Sequence, residues 1–80
     1  MDTYTVVKNR ILTLCGEKGI SINKLALDSG IPPSTVKNIL YGKSKNPGVV
    51  TLKMLCDGMG ITLTEFFSDE DFLKLEQEIK

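Results

Sequence analysis

The chain has 80 residues, in which ten Lys or Arg balance ten Asp or Glu, and it contains neither His nor Trp. That length holds one small domain with a modest core and leaves little chain for a deep catalytic cleft. Apolar and charged fractions of 41% and 25% exclude a disordered or fibrous chain, no apolar run approaches the roughly 20 residues that cross a bilayer, and Met1-Asp2-Thr3-Tyr4-Thr5 lacks the basic-then-apolar pattern of a secretory leader, so a cytoplasmic address is expected.

From Thr5 to Lys18, Val7, Ile11, Leu14 and Cys15 recur at the spacing of an apolar helical stripe. Gly19 ends that helix, and Lys18 sits in its last turn, where a cation suits the dipole. Ser21 is the expected N-cap of a second helix through Ser29, with Leu25 and Ala26 on its apolar side and Gly30 as its stop. The first two helices are expected to be antiparallel or crossed neighbours. Pro32 and Pro33 forbid the second helix from continuing, yet Pro33 suits the first position of a third, where its missing N–H costs nothing. That third helix is predicted to run to about Tyr41 and end at Gly42. Val36, Ile39 and Leu40 share one side of it, leaving Ser34, Lys37, Asn38 and Tyr41 opposite as a polar, uncharged-to-basic row.

Lys43 to Gly48 reads as a basic loop with turn chemistry at Asn46-Pro47-Gly48. A fourth helix is predicted from Val49 to Met59, carrying Leu52, Leu55, Cys56 and Met59, and closed by Gly60. Thr62-Leu63-Thr64-Glu65 is a capping-box sequence that opens a short fifth helix, whose Phe66 and Phe67 are expected to supply most of the aromatic bulk of the core. Ser68-x-x-Asp71 repeats the cap signal before Phe72, Leu75 and Ile79, which predicts a final amphipathic helical tail. No strand-length alternating segment bounded by turns occurs, so the fold class is all-α.

The balanced charge conceals a division. Residues 1–50 hold seven bases and three acids, a net of +4, whereas residues 51–80 hold three bases and seven acids, a net of −4. A basic working face and an acidic back or tail follow. Cys15 and Cys56 lack metal-ligand or redox-motif spacing, and each falls on an apolar stripe, so both are expected to be reduced core thiols. Neither a metal nor another cofactor is indicated. With no His, no paired carboxylates between apolar walls and no glycine-rich phosphate loop, an enzyme is not expected.

The second and third helices, joined by Gly30-Ile31-Pro32, have the length and turn residue of a helix-turn-helix. With Ser21-Ile22-Asn23-Lys24-Leu25-Ala26, Ser34-Thr35-Val36-Lys37-Asn38-Ile39, Gly42-Lys43, Asn46-Pro47, Thr51-Leu52 and Gly60-Ile61-Thr62-Leu63-Thr64-Glu65-Phe66-Phe67, the chain resembles the phage Cro and C1 repressor type of domain, or Xre family, over roughly residues 6 to 67. The resemblance implies a compact five-helix, λ-repressor-like domain over residues 1–67, followed by an acidic helical tail over 68–80. It also implies that the third helix, residues 33–41, enters the major groove of double-stranded DNA. Ser34, Thr35, Lys37 and Asn38 are then the candidate base contacts, because Asn pairs bidentately with adenine, Thr meets a thymine methyl, and Lys reaches guanine or phosphate. Ser21, Asn23, Tyr41, Lys43, Ser44, Lys45 and Asn46 are the candidate backbone contacts.

Three departures from the family pattern stand out. Pro32 and Pro33 replace a capping hydroxyl and a long polar side chain, which shifts base contacts deeper into the helix, toward Ser34, Lys37 and Asn38. Ile22 stands where relatives often have a phosphate-binding Gln, and Cys15 and Leu40 replace an Arg–Glu pair found in some relatives, an exchange for packed side chains that the fold tolerates. The expected function is sequence-specific DNA binding in transcription regulation, as a repressor and homodimer through the fifth helix or residues 68–80, with no membrane or small-molecule partner. The alternatives are a DNA-binding antitoxin whose acidic tail neutralises a toxin, and a protein-interaction module that has kept the fold but lost DNA binding.

Overall fold

The structure, a computed structural model, describes residues 1–79. Among the described residues six helices are present and no strand: α1 (Thr3–Lys18), α2 (Ile22–Ser29), α3 (Pro33–Leu40), α4 (Val49–Met59), α5 (Leu63–Phe66) and α6 (Glu70–Leu73). The first starts two residues before the predicted Thr5 because Asp2 caps it, accepting a hydrogen bond from the Thr5 amide at 2.8 Å. Ser21 caps α2 by accepting from the Lys24 amide, and Thr62 and Glu65 form the reciprocal capping box of α5. The third helix ends one residue earlier than predicted, with Tyr41 as its C-cap, a difference of the size that fraying ends produce. None of these helices is long and apolar enough to cross a membrane.

A single core gathers residues from α1 through α5. Its largest fully buried side chains are Ile11, Leu25, Val36, Ile39, Leu55, Cys56 and Phe66. The most extensive backbone packing of α2 is against α4 and then α3, while α1 packs against α4 and α6, and side chains of α1 and α2 share the one core. Glycine makes the α2–α4 seam possible. A Cβ placed on Gly58 would lie 2.1 Å from Ser29 Oγ and 3.0 Å from the Ser29 amide nitrogen, so no side chain fits where these helices touch. Ser29 is buried against that seam, and its hydroxyl finds no hydrogen-bond partner among the described residues.

Arg10 ties α1 to the end of α5. Its Nε donates to the Phe66 carbonyl and its Nη2 to the Glu65 carbonyl, both at 2.8 Å, and Nη1 stands 3.6 Å from the Asp69 carboxylate. A cation suits this position, because the last carbonyls of a helix have no partners within the helix.

Three expectations for the C-terminal third are corrected. Phe66 is fully buried, but Phe67 is 41% exposed and packs edge-on against both Phe66 and Phe72, with ring centroids 4.9 Å apart in each pair. The last helix is capped by Asp69 rather than Ser68, whose hydroxyl instead donates to the Glu65 carbonyl. Finally, the predicted stripe does not persist: α6 stops at Leu73, Phe72 packs on the core, Leu75 is half-buried and Ile79 is 87% exposed. The acids of this segment explain the short helix. Glu70 and Asp71 favour its first turn, but Glu76 and Glu78 would oppose the dipole at the C-terminal end of a longer one. Glu78 accepts a hydrogen bond from the Thr3 hydroxyl at 2.6 Å instead.

Candidate nucleic-acid interface

The turn between α2 and α3 is built by Gly30, which takes the left-handed conformation (φ 68°), and by two prolines that set the start of α3. Pro32 occupies the cap position and supplies no side-chain hydrogen bond, as its chemistry requires. At eight residues, α3 is about 12 Å long, close to the width of a B-DNA major groove, which is about 12 Å.

One face of α3 is buried by Val36, Ile39 and Leu40. The opposite face presents Ser34, Lys37 and Asn38, all exposed, and continues into Tyr41, which is 74% exposed. These four positions follow the i, i+3, i+4, i+7 recurrence and so project together. Thr35 lies on the flank of that face and is half-buried. Beyond Tyr41 the chain turns at Gly42 into the loop, where Lys43, Lys45 and Asn46 are exposed and Ser44 is half-buried. The Ser44 amide donates to the Asn38 carbonyl at 2.9 Å, which binds the loop to the end of α3. Ser21 and Asn23 stand exposed at the start of α2. Although Ser21 Oγ accepts the capping hydrogen bond, its hydroxyl proton remains able to donate.

The electrostatics separate the bases by role. Arg10 is engaged with α5 and Asp69, Lys24 pairs with Asp28 at 3.0 Å, and Lys53 pairs with Asp57. Among the described residues Lys37, Lys43 and Lys45 have no carboxylate within 4.0 Å. The cations of α3 and its loop are therefore free for an external anion, and Lys8, Lys18 and Lys74, away from this face, are likewise without a carboxylate partner among the described residues. Asp2 is the acid that feels Lys45: hydrogen bonds from Thr5 first, then the N-terminal ammonium and Lys45, hold its carboxyl below the usual carboxylate range. Cys15 and Cys56 are free and buried, and burial pushes both thiols up, so they stay protonated and inert near neutral pH. No group of three or more His, Cys, Asp or Glu among the described residues is arranged to hold a metal ion.

Two residues of structural consequence for this face carry no signal in the local sequence. Tyr4, on α1, donates its hydroxyl to the Ile39 carbonyl in the last turn of α3. Arg10 holds the end of α5 across 56 positions of chain. Local periodicity places both on a helix but cannot name partners so remote.

Comparison with known proteins agrees with this geometry. A family model for the Cro/C1-type HTH DNA-binding domain matches residues 10–71. The HTH-type transcriptional regulator SlrR of Bacillus subtilis (strain 168) is 39% identical over 56 residues, which are 70% of this chain and 37% of the length of SlrR. Among solved structures, the prophage Lp1 protein 11 superimposes with a TM-score of 0.79 at 29% identity, covering 90% of this chain and 96% of that one. The restriction-modification controller protein C.Esp1396I shares the fold, with a TM-score of 0.77 at 22% identity over 94% and 95% of the two chains. On its sequence match and on its fold, the chain belongs to the Cro/C1-type helix-turn-helix DNA-binding domain family.

Proposed function

We propose that the protein is a sequence-specific, double-stranded-DNA-binding transcription regulator that acts as a repressor in the cytoplasm. The observation that carries this reading is the face shared by Ser34, Lys37, Asn38 and Tyr41, continuous with a loop whose lysines have no carboxylate partner among the described residues. In this reading α3 lies in the major groove. Asn38 pairs with an adenine edge, Lys37 reaches guanine or phosphate, and Ser34 and Thr35 contact base edges or a thymine methyl. Ser21, Asn23, Tyr41, Lys43, Ser44, Lys45 and Asn46 follow the phosphates on either side and set the register. Occupying a groove excludes other proteins from the same site, which is the simplest route to repression. Two free, buried, protonated thiols fit a reducing compartment.

Three free lysines on this face of each chain give a modest, salt-sensitive affinity, so two copies on half-sites about 34 Å apart are needed for tight binding. The domain of residues 1–67 carries the DNA face, with α5 or the acidic segment 68–80 as the contact between copies. The test is to select bound sites from a random duplex pool and then measure fluorescence anisotropy on the selected duplex. Two chains per site and a log–log salt slope of about −5 between about 50 and 200 mM salt are expected. No binding to any duplex at low salt would overturn the reading.

A further inference from the structure

We infer that Tyr4 is a positioning residue for DNA reading: its hydroxyl, on α1, holds the C-terminal end of α3 and so sets the base-facing side chains against the phosphate-facing loop. This inference rests on the DNA-binding reading above.

The last turn of a helix leaves carbonyls in need of donors from elsewhere. At the end of α3, the Tyr41 amide serves Lys37 at 2.8 Å and the Ser44 amide serves Asn38 at 2.9 Å, both from the chain that follows directly. The Ile39 carbonyl is served by Tyr4, 35 positions away on another helix. Tyr4 meets the loop as well. The chain reverses at Gly42 with φ 86°, and a Cβ placed there would lie 3.9 Å from Tyr4 Oη and 4.0 Å from Lys45 Cε. Tyr4, Lys45 and Asn46 also line the same surface cleft. One hydroxyl thus stands where the recognition helix, its exit turn and the lysine loop converge.

Losing that hydroxyl leaves a half-buried carbonyl without its donor and frees the last turn of α3 to fray. Asn38 is the neighbour of Ile39, and its own carbonyl holds Ser44, so slack at Ile39 moves the base reader relative to the loop. The two kinds of contact respond unequally. A bidentate pair with a base edge tolerates little displacement, whereas a long lysine can follow a phosphate.

The test is Tyr4→Phe, which keeps the ring and removes the hydrogen bond. Binding is measured on the selected duplex and on a scrambled one, at a temperature where circular dichroism shows the variant fully folded. Affinity for the selected duplex is expected to fall about three- to tenfold, the scale of one hydrogen bond, with a change of about twofold or less on the scrambled one. In the free protein, the Tyr41 and Ser44 amides are expected to exchange faster with solvent. A lower thermal midpoint with an unchanged ratio of the two affinities makes Tyr4 a plain structural contact and overturns the inference, as does unaltered exchange at both amides. If the unaltered chain binds neither duplex, the DNA-binding reading itself fails and takes this inference with it.

Discussion

Arg10 and the lysines of residues 37–45 carry the same charge in the same basic half of the chain, yet the fold uses them in opposite ways. The Arg10 side chain is 14% exposed, donates to two carbonyls at the end of α5 and approaches Asp69. Lys37, Lys43 and Lys45 stand exposed, without a carboxylate in reach among the described residues. A planar fork on short, fixed acceptors rigidifies the protein, whereas flexible ammonium groups remain available to an anion from outside. A tally of +4 for residues 1–50 therefore overstates the charge on α3 and its loop, because Arg10 is engaged with α5 and Asp69, and Lys8 and Lys18 lie on α1. On the proposed reading, the DNA face is the smaller set on α3 and its loop.

That contrast can be broken first at the scaffold that both regions share. Gly58→Leu pushes a side chain into the Ser29 backbone, where even a Cβ is too close, and is expected to cost about 3 kcal/mol in urea unfolding. Arg10→Met comes next. It strips two charge-assisted hydrogen bonds from the end of α5 and is expected to cost about 2 kcal/mol of stability, while the folded fraction binds DNA as before. A loss of DNA affinity at full folding would place Arg10 on the interface and erase the contrast. Lys43→Ala and Lys45→Ala are the mirror experiment. Each is expected to alter unfolding free energy by about 0.5 kcal/mol or less, but to flatten the salt dependence of binding by about 1 in log–log slope per subunit, on any duplex. Unchanged salt slopes would show that the loop does not meet the phosphates.

Much of this architecture is legible locally. Ser21 and Thr62 announce their helices because a cap is a contact between residues three apart, and Gly19, Gly30 and Gly60 end theirs because a left-handed residue is a local need. The polar row of α3 is legible for the same reason, since one helix turn brings Ser34, Lys37, Asn38 and Tyr41 together. What escapes is decided at long range. Nothing near Tyr4 or Arg10 indicates that their partners lie 35 and 56 positions away. Gly58 reads as a mild helix defect until α2 is seen against it. Phe67 and the 68–80 stripe mislead in the opposite sense. Their apolar residues match a helical period, but an edge-on aromatic cluster and acids at the wrong helix end give Phe72 a half-buried seat on the core and leave Ile79 in water.

If α3 reads bases while the loop holds the backbone, the loss on Asn38→Ala must depend on the DNA sequence. Asn38 is exposed, its side chain makes no hydrogen bond among the described residues, and its removal leaves the core intact. Binding should weaken by about 1 to 3 kcal/mol on the duplex selected by the unaltered protein and remain unchanged on a scrambled duplex. Equal losses on the two duplexes, or none on either, would contradict the assignment of α3 as the reading helix.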